Sequence, residues 1–271
     1  MSPSLIVATL LALAPAQAPA AAGKLEIANV RNTYGVLGPT RADSKFLPGD
    51  ILFVSYDIDG IAINDEGRVH YSMVMEVLDK NGKATLKQDP YEKIELVPLG
   101  GSRLAARAFV TLGVDHPPGE FTMKVAVTDR SNKATQTLER KFEVLAPDFG
   151  IVAVYASLDE RGQTAAPTTG VVGQAIFVNY TAVGFKRDPE KKQPNLRFEM
   201  IPLDEAGKPL MKKPLFHEGI DLDDKLPNYT VRFLLPMTRP GKFTIRLSCT
   251  DAVAKKTVSV DLPVLILAGE K

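Results

Sequence analysis

Apolar and polar residues alternate with a period of two along most of the chain after residue 24. In FTMKVAVT (121–128) every second residue is apolar, and the same holds in FTIRLSCT (243–250). Such alternation predicts half-buried β-strands. No stretch has a helical stripe, and SRLAARAF (102–109) would form one helical turn at most. The pattern predicts seven strands per half, near 25–34, 51–60, 69–79, 83–88, 106–113, 119–129 and 134–145, and near 151–157, 174–183, 195–203, 209–216, 228–235, 241–251 and 256–267.

The two halves repeat each other in sequence. PGEFTMKVAVTD (118–129) recurs as PGKFTIRLSCTD (240–251), and PGDILFVSYDIDG (48–60) recurs in weaker form as VGQAIFVNYTAVG (172–184). The copies lie 122 to 124 positions apart, a spacing too long for a solenoid repeat and suited to a whole domain. The repetition therefore predicts two related domains.

We place these domains at residues 24–146 and 150–267. The boundary falls in LAPDFGI (145–151), where few residues separate the last strand of one copy from the first strand of the next. A linker this short, stiffened by Pro147, predicts a pair of domains with limited freedom.

Turn residues bracket the repeated strand. Gly119 and Gly241 each follow a proline, which predicts a type II turn with positive φ at the glycine. Asp129 and Asp251 end the strand and predict a second turn, because an Asp side chain readily accepts the backbone N–H two residues on.

The strand order and the motif Pro-Gly-x-Phe-Thr-x-x-x-x-x-Thr-Asp resemble tandem immunoglobulin-like or fibronectin-III-like β-sandwich modules of secreted bacterial proteins. The resemblance implies an all-β fold of two antiparallel sandwich domains after a signal peptide. The chain departs from antibody-type domains, since it has no Trp and a single Cys. Phe121 and Phe243 also stand where many such modules have a Tyr.

The N-terminus has the features of an export signal. LIVATLLALA (5–14) is an apolar run of ten residues, and small residues follow it. Cleavage after Ala22 or Ala20 is expected, so residues 1–22 are predicted to be a signal peptide and the mature chain to be periplasmic or extracellular. A run of ten residues is too short to span a membrane, and no later stretch predicts a transmembrane helix.

Composition excludes some partners and some chemistry. The net charge is +1, with 33 basic and 32 acidic residues, so the basic field expected of a nucleic-acid-binding protein is absent. Cys249 is the single cysteine, which makes the chain disulfide-free. It shares the inward face of its strand, so we interpret it as a core residue.

One loop carries candidate metal ligands. In HEGIDLDDK (217–225) the carboxylates of Asp221, Asp223 and Asp224 are calcium candidates, although acidic loops are usually only solvated. The sequence shows no catalytic constellation, phosphate loop or dinucleotide fingerprint. We therefore expect no enzyme activity and no cofactor.

Two equivalent aromatic residues are candidates for a partner-binding patch. Phe53 and Phe177 alternate opposite to the inward residues of their strands, so a neighbouring strand or the other domain covers them, or a protein or envelope polysaccharide binds there. The prediction is a non-catalytic binding or structural module.

Two alternative functions remain. The first is a periplasmic chaperone with a basic anchor such as Arg31. The second is a carbohydrate-binding module, which four tyrosines on predicted inward faces disfavour: Tyr56, Tyr71, Tyr180 and Tyr229.

Overall fold

The chain folds into β-strands joined by turns and loops. The computed structural model describes residues 24–223 and 225–269, and none of these residues is helical. The predicted signal peptide lies outside the described residues. The strands are β1 (Glu26–Thr33), β2 (Lys45–Phe46), β3 (Ile51–Asp59), β4 (Arg68–Asp79), β5 (Ala84–Lys87), β6 (Tyr91–Leu96), β7 (Arg103–Thr111), β8 (Gly119–Asp129), β9 (Thr135–Val144), β10 (Gly150–Ser157), β11 (Thr169–Val171), β12 (Ala175–Val183), β13 (Leu196–Leu203), β14 (Leu215–Gly219), β15 (Asn228–Pro236), β16 (Gly241–Asp251) and β17 (Lys256–Leu267).

The first half is a sandwich of two sheets. One sheet has the order β1-β3-β7. The other has the order β2-β9-β8-β4-β5, and β6 also pairs with β4. All pairs are antiparallel except β2 with β9, which run parallel. The two inner faces enclose one apolar core, in which Tyr56 and Met123 are among the largest buried side chains.

The second half repeats this arrangement. Its sheets have the orders β10-β12-β15 and β11-β17-β16-β13-β14, with β11 parallel to β17. They enclose a second core around Tyr180 and Phe198. The chain is thus two tandem immunoglobulin-like or fibronectin-III-like β-sandwiches, as the sequence predicted.

Several strand predictions were wrong in detail. β2, β6 and β11 were not predicted, because two are very short and β6 is exposed on both faces and shows no alternation. The strand predicted at 209–216 begins instead at Leu215. Pro214 lacks the N–H that a ladder needs, and the chain before it forms a loop. Residues 103–111 are strand β7 and form no helical turn.

The Pro-Gly motifs adopt a different conformation from the one predicted. Gly119 and Gly241 have φ values of 147° and 143°, which are positive but far from the roughly +80° of a type II turn. Gly119 is the first residue of β8, and Gly241 is the first residue of β16. Each strand therefore begins with a backbone conformation that residues with a side chain rarely adopt.

Asp129 and Asp251 form the predicted turns and also bind a second loop. Asp129 accepts the N–H of Ser131 through one carboxylate oxygen and the N–H of Ala62 through the other, both at 2.8 Å. Asp251 likewise accepts the N–H groups of Val253 and Lys186. Both carboxylates are fully buried, so each joins two loops at one end of its own sandwich.

Candidate functional site

The two predicted patch residues lie on the outer faces of the three-stranded sheets. Phe53 is half-buried and stands opposite Phe109 of β7, with ring centroids 5.8 Å apart and ring planes tilted by 34°. Phe177 is also half-buried and stands opposite Leu234 of β15. Phe109 and Leu234 are 52% and 48% exposed, so each predicted residue is one half of a cross-strand apolar pair. Sequence analysis did not identify Phe109 and Leu234 as the partners of these residues, because that requires knowing which strands pair and in which register.

The tyrosines lie mostly inside the sandwiches. Tyr56, Tyr71 and Tyr180 are buried, and burial raises the pKa of each well above its ordinary value. The Tyr180 hydroxyl donates to the carbonyl groups of Glu199 and Ser248 in the opposite sheet. Tyr229 is half-buried and lies against the ring of His217. These four rings therefore do not form an exposed sugar-binding platform.

The junction between the sandwiches is built on a buried acidic residue of the first one. The side chain of Asp50 is 2% exposed, and its Oδ2 accepts from Arg41 Nη1 at 2.7 Å. Its Oδ1 accepts the backbone N–H of Ala153 at 2.9 Å and the N–H of Ile51 at 2.8 Å. One carboxylate therefore joins strand β3 and a loop of the first sandwich to strand β10 of the second.

A β-bulge makes the Ala153 amide available. The pairing of β10 with β12 is interrupted between Val152 and Tyr155, and Ala153 within the bulge has a φ of 49°. Strand β1 has an equivalent bulge at Asn29, with a φ of 51°. Both copies of the repeat therefore have a bulge in their first strand. In the second copy the bulge positions the Ala153 N–H that contacts the first sandwich.

The loop after β1 carries further contacts across the junction. Tyr34 packs against the second core, and burial raises the pKa of its hydroxyl. A Cβ added at Gly35, which has a φ of 74°, would lie 2.5 Å from the Cβ of Tyr155, so only glycine fits this approach. The guanidinium of Arg41 lies 4.2 Å from the centre of the Phe46 ring and also donates to the carbonyl of Lys45. The arginine is therefore held by charge, hydrogen bonds and ring contact together.

An exposed ion pair lies beside the linker. Lys256 Nζ is 2.7 Å from Asp148 Oδ1, and its hydrogen bond lowers the pKa of that carboxyl. Exposed pairs of this kind contribute little to stability, so the buried contact at Asp50 is the stronger connection.

The calcium candidates lie in the loop between β14 and β15. Asp221 has a φ of 56°, and Asp223 accepts the N–H of Lys225 through its side chain at 2.8 Å. Asp224 lies outside the described residues. Within the described ranges no three His, Cys, Asp or Glu side chains come together as a metal site. The calcium hypothesis stays a prediction.

Cys249 lies where its strand pattern predicted. Its side chain is fully buried in the second core, opposite Phe198 on β13. Burial, with a smaller contribution from the charge of Asp251, raises the pKa of the thiol from 9.0 to about 12. A thiol in this state is a poor nucleophile at neutral pH.

No helix formed by residues 24–223 or 225–269 is long and apolar enough to cross a membrane.

Comparison with known proteins adds little about function. No protein-family model matches the chain, and no curated protein matches it. Red sea bream transglutaminase is similar over 92% of this chain and 32% of its own, with 12% identity and a TM-score of 0.30. The C-terminal domain of the Streptococcus agalactiae AgI/II polypeptide BspA is similar over 89% of this chain and 100% of its own, with 10% identity and a TM-score of 0.30. This chain therefore spans about a third of the transglutaminase and the whole of the BspA domain, and at these scores neither likeness supports an inference about activity or partner.

Proposed function

We propose that the chain is a non-catalytic, exported binding or structural module of the cell envelope or the extracellular space. The observation that supports this most is the junction at Asp50. A buried carboxylate that accepts backbone N–H groups from both sandwiches fixes the outer sheet faces of the two sandwiches relative to each other. A rigid pair of this kind suits a spacer or a two-surface binding module, since little ordering entropy is lost when both surfaces engage a partner.

The buried carboxylates of Asp50, Asp129 and Asp251 have structural partners. Asp129 and Asp251 accept backbone N–H groups at the loop ends, and Asp50 is paired with Arg41. Cys249 is held protonated in the core. Catalysis requires groups that face a substrate with mutually supporting geometry, and these groups face the protein interior instead.

The outer faces of the three-stranded sheets are the surfaces that we assign to a protein or polysaccharide partner. Phe53 with Phe109 and Phe177 with Leu234 place apolar area on the outside of both sandwiches. Aromatic residues that are already held by a neighbouring ring lose little freedom on binding, which favours their use as anchors.

The two alternatives receive less support from the geometry. A chaperone of the two-domain type needs a free basic pair in the cleft, whereas Arg41 at the junction is paired with Asp50, and Arg31 donates to the carbonyl of Asn29 on its own strand. A sugar-binding module built on tyrosine platforms needs exposed tyrosine rings, whereas Tyr56 and Tyr180 are buried.

Affinity capture with the mature chain tests the proposal. The bait is the chain from Lys24 onward, incubated with a solubilised envelope fraction of the cells that produce it. We expect a discrete envelope protein or polysaccharide to be retained by the intact chain and retained less by the Asp50→Ala chain, in which the two surfaces are held less rigidly. An uncleaved chain in the cytoplasm, or equal retention by both baits, would contradict the proposal.

A further inference from the structure

The first sandwich has an apolar hollow that opens at its edge. The hollow has a volume of about 100 Å³ and lies between strand β7 and the strands β4, β6 and β8. Most of its lining is apolar, and the polar groups are at its rim. The lining includes Met73, Tyr91, Arg107, Ala108 and Phe109.

The internal repeat explains why the hollow exists. Ala108 pairs with Val54 across β3 and β7, and Phe233 pairs with Val178 at the same place in the second sandwich. Phe233 is only 7% exposed, and its ring stacks on Tyr180 with centroids 6.0 Å apart. The second sandwich thus has the ring of Phe233 at this position of its core. The first sandwich has only the methyl group of Ala108 there, so the space beside that methyl group is unfilled.

A second difference leaves the hollow accessible. In the second sandwich His217 of β14 contacts Tyr229 of β15, with Nε2 and the hydroxyl oxygen 3.0 Å apart, so the two strands are joined across the edge. Strand pairing shows that Tyr91 of the first sandwich is equivalent to His217, and that Leu104 is equivalent to Tyr229. Tyr91 is 49% exposed, so its ring borders the opening instead of closing it.

The edges around the hollow provide backbone groups and a cation. β7 is the outermost strand of its sheet, so among the strands of the described residues none lies beside one row of its N–H and C=O groups. Arg107 is exposed at the rim, and within residues 24–223 and 225–269 no carboxylate pairs with it. The site therefore combines an apolar hollow, an unpaired strand edge and one positive charge.

The size of the hollow decides between two kinds of occupant. Small-molecule sites usually measure about 300–1,000 Å³, so about 100 Å³ is too small for a whole ligand. It is close to the size of an apolar space that takes up one benzene-sized group. One side chain of a larger partner fits these dimensions, and the free edge of β7 provides the main-chain hydrogen bonds that such a partner needs.

We propose that the first sandwich binds an extended segment of a partner protein along β7. One bulky apolar side chain of the segment, such as Phe or Leu, enters the hollow at the place that Phe233 fills in the second sandwich. An Asp or Glu next to that side chain meets Arg107. The inference rests on the proposed binding function and identifies the class of partner as a protein with an exposed strand.

A displayed library of random ten-residue peptides is the probe for this site. The library is selected on the mature chain alone, and the enriched peptides are then measured on the Ala108→Phe chain, whose new ring occupies the hollow. We expect enriched peptides to carry a bulky apolar residue beside an acidic one. They should bind the Ala108→Phe chain about tenfold more weakly or worse, which is the usual effect of losing one side chain from an apolar pocket.

Variants at the rim test the site without changing the core. Arg107→Glu should weaken the enriched peptides, whereas Arg232→Glu should not, since Arg232 is the repeat equivalent of Arg107 and lies in the other sandwich. Thermal unfolding checks that the Ala108→Phe chain is folded. If it is not folded, the comparison of the Arg107→Glu and Arg232→Glu chains is the test of the site. The proposal would be overturned if no peptide is enriched. It would also be overturned if the enriched peptides bind equally to the wild-type and folded Ala108→Phe chains, or equally to the Arg107→Glu and Arg232→Glu chains.

The outcome can be separated from that of the envelope capture. If the envelope partner is retained equally by the wild-type and Ala108→Phe chains, the binding function stands and the assignment of the hollow is wrong. If peptides depend on Ala108 but the intact chain captures no envelope component, the hollow stands and the proposed function is wrong.

Discussion

The carboxylate of Asp50 accepts the backbone N–H of Ala153 at 2.9 Å, across a separation of 103 residues in the chain. The contact lies out of solvent, and the other carboxylate oxygen is paired with Arg41 at 2.7 Å. A charged acceptor in a buried position forms a stronger hydrogen bond than a neutral or exposed one. The two sandwiches are therefore joined by a specific polar contact in addition to the linker.

Replacing Asp50 with Ala is expected to loosen the junction. The change leaves the Arg41 guanidinium without its carboxylate and the Ala153 N–H without its acceptor, so the free energy of unfolding should fall by about 2–4 kcal/mol. Calorimetry should show a single unfolding transition separating into two. Small-angle scattering should show a wider range of distances between the sandwiches.

The matched control is Gln174→Ala, because Gln174 occupies the position of Asp50 in the second repeat. Its side chain accepts the N–H of Val171 at the end of β11, within the second sandwich. The control should leave the scattering curve unchanged. Equal scattering from the Asp50→Ala and wild-type chains would show that the linker and the other junction contacts hold the sandwiches without Asp50.

Asp129→Ala and Asp251→Ala should each destabilise one sandwich. Each change removes a buried carboxylate and leaves N–H groups of two loops without their acceptors, at a cost of about 2–4 kcal/mol in the free energy of unfolding. Hydrogen exchange should locate the loss near Ala62 for the first variant and near Lys186 for the second. The Asn variants keep one oxygen acceptor and should lose less, and an equal loss in Asn and Ala variants would contradict this account.

Cys249→Val should fold and should resist alkali better than the wild type. Val127 occupies the equivalent position in the first repeat, so the strand accepts this side chain. The folded chain keeps the thiol protonated to about pH 12, whereas an unfolded chain loses the proton near 9.0. Unfolding therefore releases a proton in that range, and stability contributed by the protonated thiol is lost as pH rises from about 9 through 12.

Urea unfolding at a series of pH values measures this effect. The wild-type curve should fall more steeply than the Cys249→Val curve between about pH 9 and 12, and the two should run parallel below pH 8. Since both chains contain the same tyrosines and lysines, the difference between the curves isolates the thiol. Parallel curves over the whole range would contradict a buried, protonated Cys249.

Gly119→Val and Gly241→Val should each reduce the free energy of unfolding by about 1–3 kcal/mol, because valine is strained at positive φ. The larger loss is expected at Gly241, where an added Cβ would lie 3.1 Å from the Phe243 ring, against 3.8 Å from Phe121 at Gly119. Hydrogen exchange should place each loss in the sandwich that carries the change. Variants that melt like the wild type but lose the captured envelope partner would make the turn a recognition element.

The alternation and the repeat in the sequence were enough to predict the fold class. Burying one face of a strand requires every second residue to be apolar, and this requirement is local, so Phe121, Met123 and Cys249 were placed on inward faces correctly. The glycine after each proline was predicted to have positive φ, because that is also a local property.

The junction and the hollow depended on tertiary structure. Asp50 resembles any turn residue in the sequence, and only the packing of the sandwiches brings Ala153 to its carboxylate. The role of Ala108 becomes visible only once register aligns it with Phe233, since an alanine within an alternating strand carries no signal of its own. Strand pairing between distant residues decides which side chains share a space, and alternation along one strand contains no information about its neighbours.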